Sequence, residues 1–172
     1  METIKDLAQL KYNLSLGPGY GGYSELLKAI DFSSEELNKY CQFSDQRYQR
    51  VRLYDSNLIE AVLSCWQPKQ EGNIHNFNNS VGWFKVLRGT VVLENFDLSL
   101  DALEPTFSQS FTEGEMGFLD DDLGFHRFRS KGLNEAVVLH FYAEKLMHRG
   151  VYDPVNAEVK IMEAAVDNSF DD

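Results

Sequence analysis

Cysteine is scarce: the 172 residues carry only Cys41 and Cys65, far apart and in no CxxC arrangement. That argues against a disulfide framework, and a reducing cytoplasm is the compartment that suits the chain. Both thiols read as small buried apolar groups. Basic residues are outnumbered, 16 against 27 acidic ones, for a formal net charge of −11. Such a surface repels nucleic acid and anionic membrane, so neither is an expected partner. No apolar run approaches membrane-spanning length, and Met1 to Asp6 lacks the basic start and apolar stretch of a signal peptide. There is no internal repeat, no low-complexity tract and no Gly/Ser linker.

What is abundant is bulk for a core. Hydrophobic residues make up 43% of the chain, with twelve Phe and eight Tyr, a globular composition. The first third reads as helix. Ile4 to Tyr12 has helical spacing, and Gly17 to Gly22, with Pro18 inside it, breaks the pattern. Tyr23 to Ile30 is a second helix. Ser33 followed by Glu36 reads as a capping box opening a third, to about Cys41. From Tyr48 the period falls to two. Arg50–Tyr54, Leu58–Trp66, Trp83–Leu98 turning near Arg88-Gly89 as a hairpin, Thr106–Thr112, Glu115–Leu119, Phe125–Arg129 and Glu135–Tyr142 read as strands. Val155 to Val166 fits either a last strand or a short helix, and Asp171-Asp172 reads as a frayed end. Many short strands between turns predict a sandwich or barrel. The expected organisation is one domain over 1–172: a helical cap over about 1–45, then an all-β part over about 46–165.

Four histidines carry the chemistry: His75, His126, His140 and His148. In extended chain, side chains alternate. His75 therefore shares a face with Phe77, His126 with Phe128, and His140 with Val138 and Tyr142. His148 lies in polar sequence and is assigned no role. None of these histidines is at metal-ligand spacing from another. The residues alone stop at an all-β domain with histidines on interior faces.

The order of segments adds to this. Tyr48-x-Arg50, Ser64-Cys65-Trp66, Gly72-x-x-His75-x-Phe77, Gly82-Trp83-Phe84-Lys85-Val86-Leu87-Arg88-Gly89, Gly124-Phe125-His126-Arg127 and Leu139-His140-Phe141-Tyr142 follow one another in this chain. Together, over about Tyr48 to Tyr152, they resemble the cysteine dioxygenase branch of the cupins. The resemblance implies a small jelly-roll-like cupin β-barrel with a helical start. It implies mononuclear Fe(II) on three histidines, and O2-dependent oxidation of a small thiol, cysteine, to the sulfinic acid. Position by position, it implies His75 and His126 as metal ligands. Arg50, with Tyr48 beside it, would clamp the substrate carboxylate. Tyr142 would stand next to the iron, supported by His140. Imidazole suits iron(II), and a guanidinium grips a carboxylate with two prongs.

Three positions depart from the family pattern. Phe77 stands where the second H-x-H ligand is expected, and a phenyl ring has no lone pair for a metal. Val138 stands where many members carry serine. Gly82 stands where some members carry a cysteine crosslinked to the site tyrosine. Three readings follow. An active thiol dioxygenase needs a substitute third ligand: an amide oxygen of Asn76 or Asn78, or a carboxylate from Asp120, Asp121 or Asp122. A non-catalytic cupin would hold a carboxylate ligand through Arg50. A filled structural barrel would pair Arg50 internally with Glu60 or Asp55 and leave no pocket.

Overall fold

Asp6 opens the first helix, α1 (Leu7–Ser15), its Oδ1 accepting from Gln9 N at 2.8 Å. The computed structural model describes residues 2–77, 80–120, 122 and 124–171. Ile4, expected inside this helix, lies before it and forms a parallel bridge to Ile30. The other helices are α2 (Gly22–Ala29) and α3 (Ser34–Asn38). Ser33 caps α3, accepting from Glu36 N at 3.1 Å. Glu36 departs from the capping-box expectation. Its Oε1 accepts from Leu7 N (3.2 Å) and Tyr40 Oη (2.8 Å), and its Oε2 pairs with Lys39. One carboxylate thus satisfies an orphan donor of α1 from the first turn of α3 and joins the two helices. The Lys39 bond, with the Tyr40 and Leu7 donors, holds this carboxyl below its usual range against the opposing effect of burial. No helix among the described residues is long and apolar enough to cross a membrane.

The strands among the described residues are β1 (Gln49–Asp55), β2 (Ile59–Trp66), β3 (Val81–Arg88), β4 (Thr90–Phe96), β5 (Pro105–Thr112), β6 (Met116–Leu119), β7 (Phe125–Ser130), β8 (Ala136–Ala143), β9 (His148–Asp153), β10 (Glu158–Glu163) and β11 (Asn168–Ser169). One sheet runs β11-β1-β2-β8-β3-β6 and a second β5-β4-β7; β9 and β10 form a hairpin. Residues 71–77 join that hairpin to the second sheet. Glu71 bridges Arg129, and His75 bridges both His126 and Val151.

Period-two sorting places the core. On β2, Ile59, Ala61, Leu63 and Cys65 pack with the helices, while Val62 and Trp66 face the barrel interior. On β8, Val137, Leu139 and Phe141 face the helices, and Ala136, Val138 and Tyr142 face inward. These strands are therefore buried on both faces, and β2 is apolar on both except at Glu60 and Ser64. Both cysteines are free thiols on the helix side; Cys65 is buried and Cys41 half-buried.

Two expectations change. Trp83–Leu98 is not a hairpin: β3 pairs with β8 and β6, while β4 pairs with β5 and β7. Gly89, at φ +72°, turns the chain from one sheet into the other, and a Cβ there would lie 2.4 Å from the Glu135 carbonyl. This is a barrel corner, where glycine permits the bend. The ambiguous 155–166 segment resolves as β10, and its partner β9 has no counterpart among the expected strands. Asp172 and the candidate residues Asn78 and Asp121 lie outside the described residues.

The Glu36 junction gives a test of the helical layer. Glu36→Ala should destabilise the protein by about 1–3 kcal/mol, because Leu7 N and the Tyr40 hydroxyl lose their acceptor. Glu36→Gln keeps an acceptor oxygen and should cost less. Urea denaturation of both variants checks the order.

Candidate functional site

The barrel interior is built in cross-strand rows. Arg50 on β1 faces Ser64 on β2, which faces Val138 on β8. One step along, Val62 faces His140, and His140 faces Phe84 on β3. The next row pairs Glu60, Tyr142 and Gly82. Register alone thus brings Arg50, His140 and Tyr142 onto one wall. His126, on the inward face of β7, comes from the opposite wall with Phe128. His75 arrives beside it, through reciprocal backbone hydrogen bonds with His126 of 2.9 and 2.8 Å.

These side chains enclose a cavity of about 20 Å³, room for about one water molecule. Tyr48, Arg50, Ser64, His75, Phe77, His140, Tyr142 and Arg149 all contribute to its lining. Tyr48 stacks on Trp66 at 4.0 Å with an 8° interplanar angle, making one flat side.

Arg50 is the buried cation of this wall, 4% exposed. Its Nη1 donates to the Ala165 carbonyl at 2.6 Å, and its guanidinium carbon lies 5.9 Å from the centre of the Tyr142 ring. Its Nη2 is buried with no acceptor in good hydrogen-bond geometry, although the Tyr142 hydroxyl is close enough to favour the charge. The internal pairing expected for a filled barrel does not form. Glu60 Oε1 accepts from Arg52 Nε at 2.9 Å, and Asp55 pairs with Lys145. The field of Glu60 reaches Arg50, but no described carboxylate stands within ion-pair distance of it. The backbone N of Arg50 donates to Asp167 Oδ2 at 2.8 Å, which fixes the strand rather than the charge.

His75 and His140 are held neutral. His75 Nδ1 donates to the Asn73 carbonyl at 2.8 Å. That fixes the tautomer and leaves the lone pair on Nε2. Burial, then the charges of His126 and Arg149, push His75 well below its ordinary range. Burial, then Arg50, lowers His140 to about 3. The Tyr142 phenol is pushed up by burial, with Arg50 pulling the other way. Ser64 stands out in the sequence only as part of a segment. Its hydroxyl shares a 2.9 Å hydrogen bond with His140 Nε2 and accepts from Trp66 Nε1 at 2.9 Å. Because Ser64 sits opposite Val138 in the register, a hydroxyl from the neighbouring strand meets His140 although Val138 supplies none.

Phe77 fills the space between the histidines and the tyrosine. Its ring centre lies 4.6 Å from His126, 5.4 Å from Tyr142 and 5.9 Å from His75. The two imidazoles themselves are 4.6 Å apart, centre to centre. A Cβ on Gly82 would come within 3.2 Å of Phe77 and 3.3 Å of Tyr142, so only glycine leaves both rings in place. The described substitute candidates do not gather here. Asn76 Oδ1 accepts from Gly150 N at 2.9 Å, and neither Asp120 nor Asp122 lines the cavity. Among the described residues no three His, Cys, Asp or Glu side chains converge as a metal site. His148 is exposed on β9. Arg149, in the polar stretch beside it, has no signal in the sequence; only its projection into the cavity marks it.

Comparison with known proteins agrees with this architecture. A family model described as "Cysteine dioxygenase type I" matches residues 23–154. The chain is 22% identical over 160 residues to cysteine dioxygenase type 1 of Danio rerio, covering 88% of this chain and 80% of that one. It is 24% identical over 148 residues to the Homo sapiens protein of the same name, covering 82% and 74%. Among solved structures, a Klebsiella pneumoniae protein with a double-stranded β-helix domain aligns with a TM-score of 0.55 at 15% identity, over 74% of this chain and 94% of that one. A Thermus thermophilus protein aligns with a TM-score of 0.52 at 17% identity, over 63% and 93%. The barrel is a cupin, and the chain belongs to the cysteine dioxygenase type I family.

Proposed function

We propose that this chain is a cysteine dioxygenase-like cupin that binds a small organic acid through Arg50, without the three-histidine iron centre implied for its family. The carrying observation is the buried guanidinium in the cavity wall, which no described carboxylate pairs and whose Nη2 has no acceptor in good hydrogen-bond geometry. An uncompensated charge in such a place costs several kcal/mol, and a carboxylate would relieve it with a charge-assisted, two-pronged bond. The neutral His75 and His140 and the Tyr142 phenol are the right neighbours, since none competes as an anion. The cavity of about 20 Å³ holds about one water molecule, so a carboxylate entering it displaces that water and spreads the lining side chains.

The iron reading is weaker on donor chemistry. Bound Fe(II) would supply activation of O2 and of a thiol. The two imidazoles that stand together are His75 and His126, 4.6 Å apart, and the third side of the pair is closed by the apolar ring of Phe77. Asn76 is engaged elsewhere. Two imidazoles make a poorer iron(II) site than three ligands on one face, so oxidation of cysteine is not the reading adopted.

Metal content tests this directly. After anaerobic incubation with iron(II) and desalting, the protein should retain far less than one iron per chain, and Phe77→His should retain more. Near-stoichiometric iron in the unaltered protein would sink the proposal. Arg50→Met should abolish the thermal shift given by small carboxylates. It should leave the ligand-free melting temperature equal or higher, since it removes an unpaired buried charge.

The buried histidines also set a pH dependence. His140 has a folded pKa of about 3 against about 6.5 in an unfolded chain. The unfolded state therefore binds the extra proton between those values. The stabilisation is complete above about pH 6.5 and falls with acidification towards pH 3, by about 1.4 kcal/mol per unit at full slope. His75, shifted the same way, adds to it. Urea titrations between pH 7 and 4 should show this slope, and His140→Gln should make it shallower.

A further inference from the structure

Arg50 is not the only cation in the cavity wall. Arg149, from β9, lines the same space, and its Nε is buried without a hydrogen-bond acceptor. Its one hydrogen bond to a described side chain runs from Nη1 to the Tyr48 hydroxyl at 3.4 Å, long for such a contact. Tyr48 lies two residues before Arg50, so Arg149 is held against the strand that carries the deeper guanidinium. Neither arginine has a described carboxylate within ion-pair distance. No acidic residue lines this cavity, although the chain carries 27 of them. Both guanidinium charges also act on the Tyr142 phenol.

Two like charges lining an acid-free cavity repel each other and lose hydration, and no described carboxylate pairs with either, although the Ala165 carbonyl, the Tyr142 ring and the field of Glu60 favour the Arg50 charge. The two arginines differ in depth. Arg50 is almost wholly buried, while Arg149 is half-buried. A guest whose first carboxylate sits on Arg50 must run its carbon chain past the Tyr48–Trp66 stack towards Arg149. We infer that Arg149 forms a second anion position in the Arg50 pocket, so that the preferred ligand is a short dicarboxylate rather than a simple monoacid. This rests on the reading of Arg50 as a carboxylate holder and adds the ligand class to it.

The probes are malonate, succinate and glutarate, each compared with its monoamide, which keeps size and removes one charge. Isothermal titration at fixed salt gives the affinities. The best-binding dicarboxylate should bind about tenfold or more tighter than its monoamide, the scale of one charge-assisted hydrogen bond. Arg149→Gln should bring that ratio close to one while leaving the monoamide affinity in place. Equal affinities of diacid and monoamide in the unaltered protein, both lost in Arg50→Met, would overturn the second anion position and leave Arg50 standing as a carboxylate site. Binding of neither, or binding indifferent to Arg50→Met, would overturn both. If Arg149→Gln fails to fold, the same ratio is read in Arg149→Met. If neither variant folds, the ratio in the unaltered protein decides, and it should shrink as salt is raised.

Discussion

A guanidinium taken out of water without a carboxylate constrains everything else inside the barrel. Arg50 keeps its charge, because arginine does not deprotonate at such a site. Its surroundings therefore accommodate a fixed positive field. The Ala165 carbonyl takes one prong, the face of the Tyr142 ring lies alongside, and Glu60 contributes from a distance while bound to Arg52. The imidazoles nearby cannot also become cations without raising the cost further. Burial is the main cause of their neutrality, with the guanidinium adding to it; His140 is tied to a serine hydroxyl, and His75 directs its one proton to a backbone carbonyl. The polarity of the pocket is thus one problem with one solution: a permanent cation among neutral donors and acceptors, lacking only an anion.

The same interior shows how a cupin wall stays shaped when its metal chemistry is in question. His75 and His126 are fixed by reciprocal backbone bonds and would stay adjacent with or without a guest between them. Phe77 packs edge-on against His126 and Tyr142, contacts that favour aromatic pairs by about 0.5–1.5 kcal/mol each. A phenyl ring in that position contributes to stability where a histidine would contribute coordination. Gly82, directly behind both rings, permits this, since any larger residue would press on Phe77 or Tyr142.

The fold was legible where alternation was strong. β7 alternates in burial and β2 and β8 are buried along almost their whole length, and the faces shared by His126 with Phe128 and by His140 with Val138 and Tyr142 could be named from spacing alone. Legibility failed where topology overrides local pattern. Residues 81–96 look like a hairpin because two good strands flank a glycine, but a barrel corner uses the same signal to change sheets. β9 was invisible because His148, Arg149 and Tyr152 are polar or amphipathic. Its pairing with β10 and with residues 74–76 carries the strand instead. Of the candidate site, Tyr48, Arg50, His75, Phe77, His140 and Tyr142 meet around one cavity, with His126 against it. Ser64 and Arg149 escaped notice for opposite reasons: one sits unremarkably in an apolar strand, the other in a run that reads as solvated.

Ser64 also shows why a family position and a physical role should be kept apart. Judged by its own strand, β8 has lost a hydroxyl at Val138. Judged by the sheet, the hydroxyl is one strand away, in register, and in hydrogen-bond contact with the same histidine. Cross-strand neighbours occupy nearly the same volume, about 5 Å apart, so a polar group can migrate between strands without leaving the row. Trp66 anchors it there through its indole N–H, which couples the histidine to the aromatic stack at the cavity wall. The orientation of His140 thus depends on β2 as much as on the strand that carries it, and a residue-by-residue reading of β8 alone would place the support in the wrong element.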